Sequence, residues 1–161
     1  MRILVAIDET DAADRLVQYV GALLRETSGA RITLFHVLRP MPRKLLEHGG
    51  SESPVLEGQL QSELKKEQTE WIHSQQEAEC PYLLRAREAL GKAAFPLHRV
   101  ELKFGHEDDI ARNILEEARR GGYSTVAVGR YGTSMTKRLF GGGVTDQLLR
   151  EATGLAVWVV E

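Results

Sequence analysis

The run STVAVGRYGTSMTKRLFGGGVTDQLLREA, residues 124–152, contains the fold in miniature. It opens with Ser124 to Val128, which reads as a short strand. It closes with Val144 to Ala152, which reads as a helix, and the two are joined by a segment punctuated with glycine. Strand, glycine-rich turn and helix in that order make half of a β-α-β unit. In open sheets of such units, ligands settle beyond the carboxyl ends of the strands, where this turn lies.

Working outward, the same alternation recurs along the chain. Ile3 to Ile7 is an apolar run stopped by Asp8, Glu9 and Thr10, and Asp11 is placed to cap a helix carrying Leu16, Val20, Leu23 and Leu24 and ending near Ser28 and Gly29. Ile32 to Leu38 is β-branched and aromatic and is closed by Arg39 and Pro40, which gives the second strand. Met41 to about Gly58 has little periodicity and reads as a mobile loop. From about Gln59 to Leu90 the residues are those of a long helix, or of two helices meeting near Cys80 and Pro81. Leu97 to Phe104 is the third strand. Acidic residues from Glu107 to Asp109, with His106 as a cap, then open a helix bearing Ile110, Ile114, Leu115 and Ala118. Leu155 to Val160 is the fifth strand. Five strands alternating with helices, joined by right-handed crossovers, predict one α/β domain: an open parallel five-stranded sheet with helices on both faces.

Composition is consistent with this and excludes several function classes. With 161 residues, 42% hydrophobic and 27% charged, the chain has the make-up of one globular domain. Its formal net charge of −2 supplies no global field for nucleic acid or acidic lipid, so any anion site is local. Met1 leads straight into the first strand without a signal-peptide pattern, and no apolar run approaches the roughly 18 residues of a membrane span. The single cysteine, Cys80, has no partner and fits a reducing, cytoplasmic setting. The five histidines fall on different elements and do not make a metal-ligand set, so His36 reads as a packed histidine. No Walker motif, dinucleotide fingerprint or nucleophile elbow is present, and no residue has the company of a base or nucleophile. The reading is therefore a binding module rather than an enzyme.

The chemistry is concentrated between Gly129 and Thr145. Glycines let backbone approach a ligand, amides at the start of the last helix donate to oxygens, the helix dipole favours negative charge, and Thr145 adds a hydroxyl. These are the parts of a phosphate cradle. Arg130, and beyond it Lys137 and Arg138, are cations within reach, or simply solvated side chains. Asp8, at the end of the first strand, is either a ribose or water-mediated magnesium ligand or a turn cap.

Gly129, Gly132 and Gly142 are spaced as glycine, two residues, glycine, nine residues, glycine. In this, and in its opening strand ending at Asp8 and its Phe35-His36-Val37, the chain resembles the universal stress protein family, in its ATP-binding subgroup. The resemblance implies a bound adenine nucleotide, ATP or a relative, with magnesium as an optional companion. It also implies a homodimer formed through the strand Leu155 to Val160 and a stress-response role as a switch for an unknown protein partner. Carried over residue by residue, it implies a site of Ala6, Asp8, Val37, Gly129, Arg130, Gly132, Gly142, Gly143, Val144 and Thr145, with Val37 meeting adenine through its backbone. One position departs from the pattern: Gly143 stands where the family has serine or threonine, so a hydroxyl donor to phosphate is missing. That departure keeps an alternative open, a nucleotide-free dimeric interaction protein of the same fold. Of the two tryptophans, Trp71 is expected to anchor the core and Trp158 lies in the last, apolar strand.

Overall fold

The computed structural model describes residues 1–38, 40–46, 53–106, 109–130 and 143–161. Along the chain run β1 (Arg2–Ile7), α1 (Asp11–Leu24), β2 (Arg31–Val37), α2 (Pro54–Lys92), β3 (Val100–Gly105), α3 (Ile110–Arg120), β4 (Thr125–Gly129), α4 (Val144–Glu151) and β5 (Ala156–Val160). Short 3-10 turns lie at Arg43–Leu45 and Leu97–Arg99. The five strands form one parallel sheet in the order β3-β2-β1-β4-β5. The chain lays down β1, β2 and β3 towards one edge, then passes back over β1 to place β4 and β5 on the other. Strand order thus reverses between β1 and β4.

Side-chain alternation along β1 explains how one short strand serves two cores. Ile3, Val5 and Ile7 face α1 and α2, where they join Leu16, Val17, Val20, Leu83 and Leu90. Leu4 faces the other way, into a second core with Ile114, Leu115, Ala118, Val126 and Leu148 from α3, β4 and α4, and Ala6 packs at its edge. Burying each large aliphatic side chain contributes ~1.5–3 kcal/mol, so a continuous apolar run is the natural sequence for a strand covered on both faces.

Several boundaries differ from the sequence expectation, for physical reasons. The helix after β2 begins at Pro54 rather than near Gln59, because proline is well suited to the first helical turn, where its missing N–H costs nothing. It runs through Pro81 as one helix of 39 residues instead of two. The strand expected from Leu97 starts only at Val100, after a 3-10 turn led by Pro96. Asp109, not His106, caps α3, accepting a hydrogen bond from the Arg112 amide at 3.0 Å. Asp11 is the first residue of α1, and the cap position belongs to Thr10. Leu23 and Ile110, expected in the core, lie on exposed surface, and Trp71 is half-buried outside both cores.

Two helices end in the same way with different residues. At the end of α3, the Tyr123 amide bonds the Ala118 carbonyl and the Gly122 amide that of Arg119, with Gly122 at φ +62°. At the end of α2, Phe95 bonds Leu90 and Ala94 bonds Gly91, but the left-handed position is held by Ala94 at φ 61°. Both are Schellman closures, and the second puts a Cβ where glycine is favoured.

Candidate functional site

The carboxyl ends of β1, β4 and β2 come together where strand order reverses, the position at which open α/β sheets leave a crevice. Ala6 pairs with Phe35 on one side and Val128 on the other, so Asp8, Val37 and Gly129 all lie at this rim. The start of α4 is brought to the same rim: the Thr145 hydroxyl lies 3.5 Å from the Gly129 carbonyl oxygen. Of the sequence-derived site residues, Ala6, Asp8, Val37, Gly129, Gly143, Val144 and Thr145 are gathered at this end of the sheet. Gly132 and Gly142, with Lys137 and Arg138, lie outside the described residues, as do residues 47–52 of the expected loop.

Each of these residues is held for a local reason. Gly129 is favoured by packing: a Cβ there would lie 3.3 Å from both the Cβ and the carbonyl oxygen of Ala12, so a larger residue would press on the start of α1. Gly143 is not under that constraint. It is the N-cap of α4, at φ −69° and ψ 166°, and an added Cβ would meet nothing within 4 Å among the described residues. No side chain among them caps α4, so its leading amides keep the donor capacity that a capping residue would use. Together with the positive end of the helix dipole, they make a place for an anion.

Asp8 has a structural duty as well as a candidate one. One carboxylate oxygen accepts from the Thr10 amide at 3.0 Å and from the Thr10 hydroxyl at 2.7 Å, an Asx turn that leads the chain into α1. Val37 contributes its backbone. In a parallel ladder, successive residues bond to opposite neighbours. Arg31 donates to Met1 and Leu38 to Gly105, so Val37, in phase with Arg31, turns its peptide groups to the β1 side. Its carbonyl points past Ile7, the last residue of β1, where no described backbone amide meets it. Arg130 lies elsewhere: its amide bonds the Val160 carbonyl at 2.7 Å and its guanidinium pairs with Glu161, both side chains exposed. A pair so open to water is worth little, and the structure directs Arg130 towards β5 rather than over the crevice.

Two networks that sequence reasoning missed support this end of the sheet. His36 is buried under β1, with Nδ1 3.0 Å from the Ile7 carbonyl oxygen and Nε2 2.5 Å from the Glu79 carboxylate of α2. A carbonyl only accepts, so Nδ1 donates to it, while the second contact holds Nε2 against the Glu79 carboxyl group. The residue before Asp8 is thereby tied to α2. Glu79 sits in a stretch of Glu and Gln that reads as a solvated helix face, and only its position against β2 shows that it points inward. On the opposite face, Gln147 of α4 donates to Asp109 of α3 at 3.1 Å, which fixes the two helix starts beside each other. Hydrogen bonds from the Arg112 amide and the Gln147 side chain hold the Asp109 carboxyl below its ordinary value.

The whole chain, residues 1–161, matches the family model described as the universal stress protein family. The chain belongs to the universal stress protein family. Solved structures agree in fold. A universal stress protein in complex with cAMP is 17% identical, with a TM-score of 0.65, over 100% of this chain and 96% of that one. The universal stress protein from Archaeoglobus fulgidus in complex with dAMP is 16% identical, TM-score 0.60, over 100% and 98%. Hypothetical protein MJ0577 is 17% identical, TM-score 0.69, over 99% and 94%. No curated protein matches. At these identities the neighbours establish the five-stranded fold of this universal stress protein. Among the described residues, no helix is long and apolar enough to cross a membrane.

Proposed function

We propose that this universal stress protein binds an adenine nucleotide at the rim between β1 and β4, as a regulatory module of a cytoplasmic stress response rather than as an enzyme. The phosphates rest on the leading amides of α4 beside Gly129 and Thr145, the ribose lies by Asp8, and the base extends to the end of β2, where the Val37 carbonyl accepts from it. Magnesium, when present, is held through water at Asp8. The observation that carries this reading is the uncapped start of α4 brought against Gly129 at the point where strand order reverses. Two structural neighbours are described in complex with cAMP and dAMP, which supports an adenine ligand. Nucleotide contacts at this rim would change the surface that a partner protein reads.

The free edge of β5 supports a homodimer through Leu155 to Val160. Among the described residues β5 pairs with β4 alone, and Val159 remains 37% exposed. Gly143 favours a second reading, a nucleotide-free dimeric interaction protein, because it removes a hydroxyl from the phosphate corner. Two linked experiments decide between them: mass spectrometry of small molecules released from the purified protein, and titration with ATP with and without magnesium. Retained adenine nucleotide, or saturable ATP binding, supports the first reading. An empty protein that shows no binding at millimolar ATP supports the second.

A further inference from the structure

Asn113 lies one turn inside α3, and its carboxamide oxygen is buried with no hydrogen-bond partner among the described residues. The oxygen fills the space that a side chain at position 105 would need. A Cβ built on Gly105 would overlap it and would come within 2.6 Å of the Phe35 ring. Buried amide oxygens are rarely left without a donor, and one that is calls for an explanation. Its location suggests one. Gly105 stands opposite Val37 across β3 and β2, on the face of the sheet that carries Phe35, Val37, Ala6 and the first residue of α4, Val144. Two strand spacings, ~9–10 Å, separate the end of β4 from the end of β2, a distance bridged by a ribose and its base. A base that has reached Val37 turns its far edge to α3.

We propose that Asn113 reads the Hoogsteen edge of the bound adenine, an inference that rests on the nucleotide reading above. The carboxamide oxygen accepts one hydrogen of the 6-amino group while its NH2 donates to N7, and the Val37 carbonyl takes the second amino hydrogen. A change of χ1 together with χ2, the latter a broad torsion in asparagine, aims the carboxamide at the base. The orphaned oxygen gains a donor in the process, so the ligand satisfies what the fold does not. Guanine presents two acceptors on the same edge, O6 and N7, which one carboxamide cannot satisfy together. Asn113 is thus a specificity-determining residue for adenine.

The test pairs a change in the protein with a change in the ligand. ATP and 7-deaza-ATP, which lacks N7, are titrated calorimetrically into the wild-type chain, Asn113→Ala and Asn113→Leu, the last keeping the number and branching of side-chain heavy atoms should the alanine variant fail to fold. Wild type is expected to bind ATP about tenfold more tightly than 7-deaza-ATP. In the variants the two ligands should bind alike, at or below the wild-type affinity for 7-deaza-ATP. If the loss of N7 costs the same factor in wild type and in a folded variant, Asn113 does not read the base, although the nucleotide site stands. If wild type binds neither ligand, the site reading fails and this inference with it.

Discussion

Gly143→Ser is the substitution whose outcome follows most directly from the structure. The backbone at position 143 is at φ −69° and ψ 166°, an extended conformation open to any residue, and a Cβ there meets nothing within 4 Å among the described residues. The change therefore introduces no backbone strain and no clash with those residues. As an N-cap, serine exceeds glycine by only a few tenths of a kcal/mol, roughly the most the fold itself gains. Towards a phosphate the new hydroxyl adds a hydrogen bond to a charged group, worth ~1.5–3 kcal/mol, which is about one to two powers of ten in Kd. Calorimetric titration of both proteins with ATP, AMP and adenosine separates these effects. The two nucleotides should bind about 10- to 100-fold more tightly to Gly143→Ser, whereas adenosine, with no phosphate, should not change. An equal gain for adenosine would mean that the substitution acts on the fold rather than on the phosphate. An unfolding midpoint that rises while nucleotide affinity stays fixed would refute the placement of phosphate at α4.

Three further outcomes follow. Ala94→Gly should raise stability by about 1 kcal/mol in denaturant unfolding, because Ala94 holds the left-handed closing position that Gly122 fills in α3, and Gly122→Ala should lower it by a similar amount. Glu117 is buried, which alone raises its pKa, but hydrogen bonds from Arg120 and from Lys103, the latter at 2.9 Å, outweigh this and hold it below the ordinary carboxylate value. Its contribution is thus complete above the unfolded carboxylate pKa and is lost as pH falls through the lower folded value. Glu117→Gln should cost on the order of 1.5 kcal/mol at neutral pH and flatten the acid limb of the stability profile, as read by urea unfolding across pH. Ala156 donates to Ser124 and Val160 accepts from Arg130, so alternation turns the Val159 amide to the free edge of β5. Val159→Pro should therefore spare the β4 ladder yet halve the mass seen by light scattering, whereas an unchanged dimer mass with native circular dichroism would remove β5 from the interface.

The sheet could be read from sequence because burial on both faces leaves an unmistakable mark: Ile3 to Ile7 has no polar interruption, and each of the first four strands is followed by its helix. The rim could be read for a related reason, since a strand end, a glycine-rich turn and a helix start are consecutive in the chain from Thr125 to Thr145. Features built from distant residues could not. His36 and Glu79 are separated by 43 positions, and their hydrogen bond exists only because α2 crosses β2 at that height. Gly129 looked like a ligand glycine, and the structure adds a packing reason, the close start of α1 at Ala12, that no local pattern encodes. Asn113 carries no motif at all. Its oxygen becomes conspicuous only when Gly105 is found beneath it with no donor among the described residues. The long helix starts earlier than local composition suggests because Pro54, within a stretch that has the marks of a loop, is equally suited to a first helical turn.

The central claim, that amides at the start of α4 receive the phosphates of an adenine nucleotide, is tested most directly by following backbone amide resonances of the 15N-labelled protein during titration with ATP. Saturable shifts of Gly143, Val144 and Thr145, with Asp8 following and the far ends of the strands still, are the predicted result. Resonances at these positions that stay fixed to millimolar ATP, or shifts that cluster at another part of the surface, would contradict it.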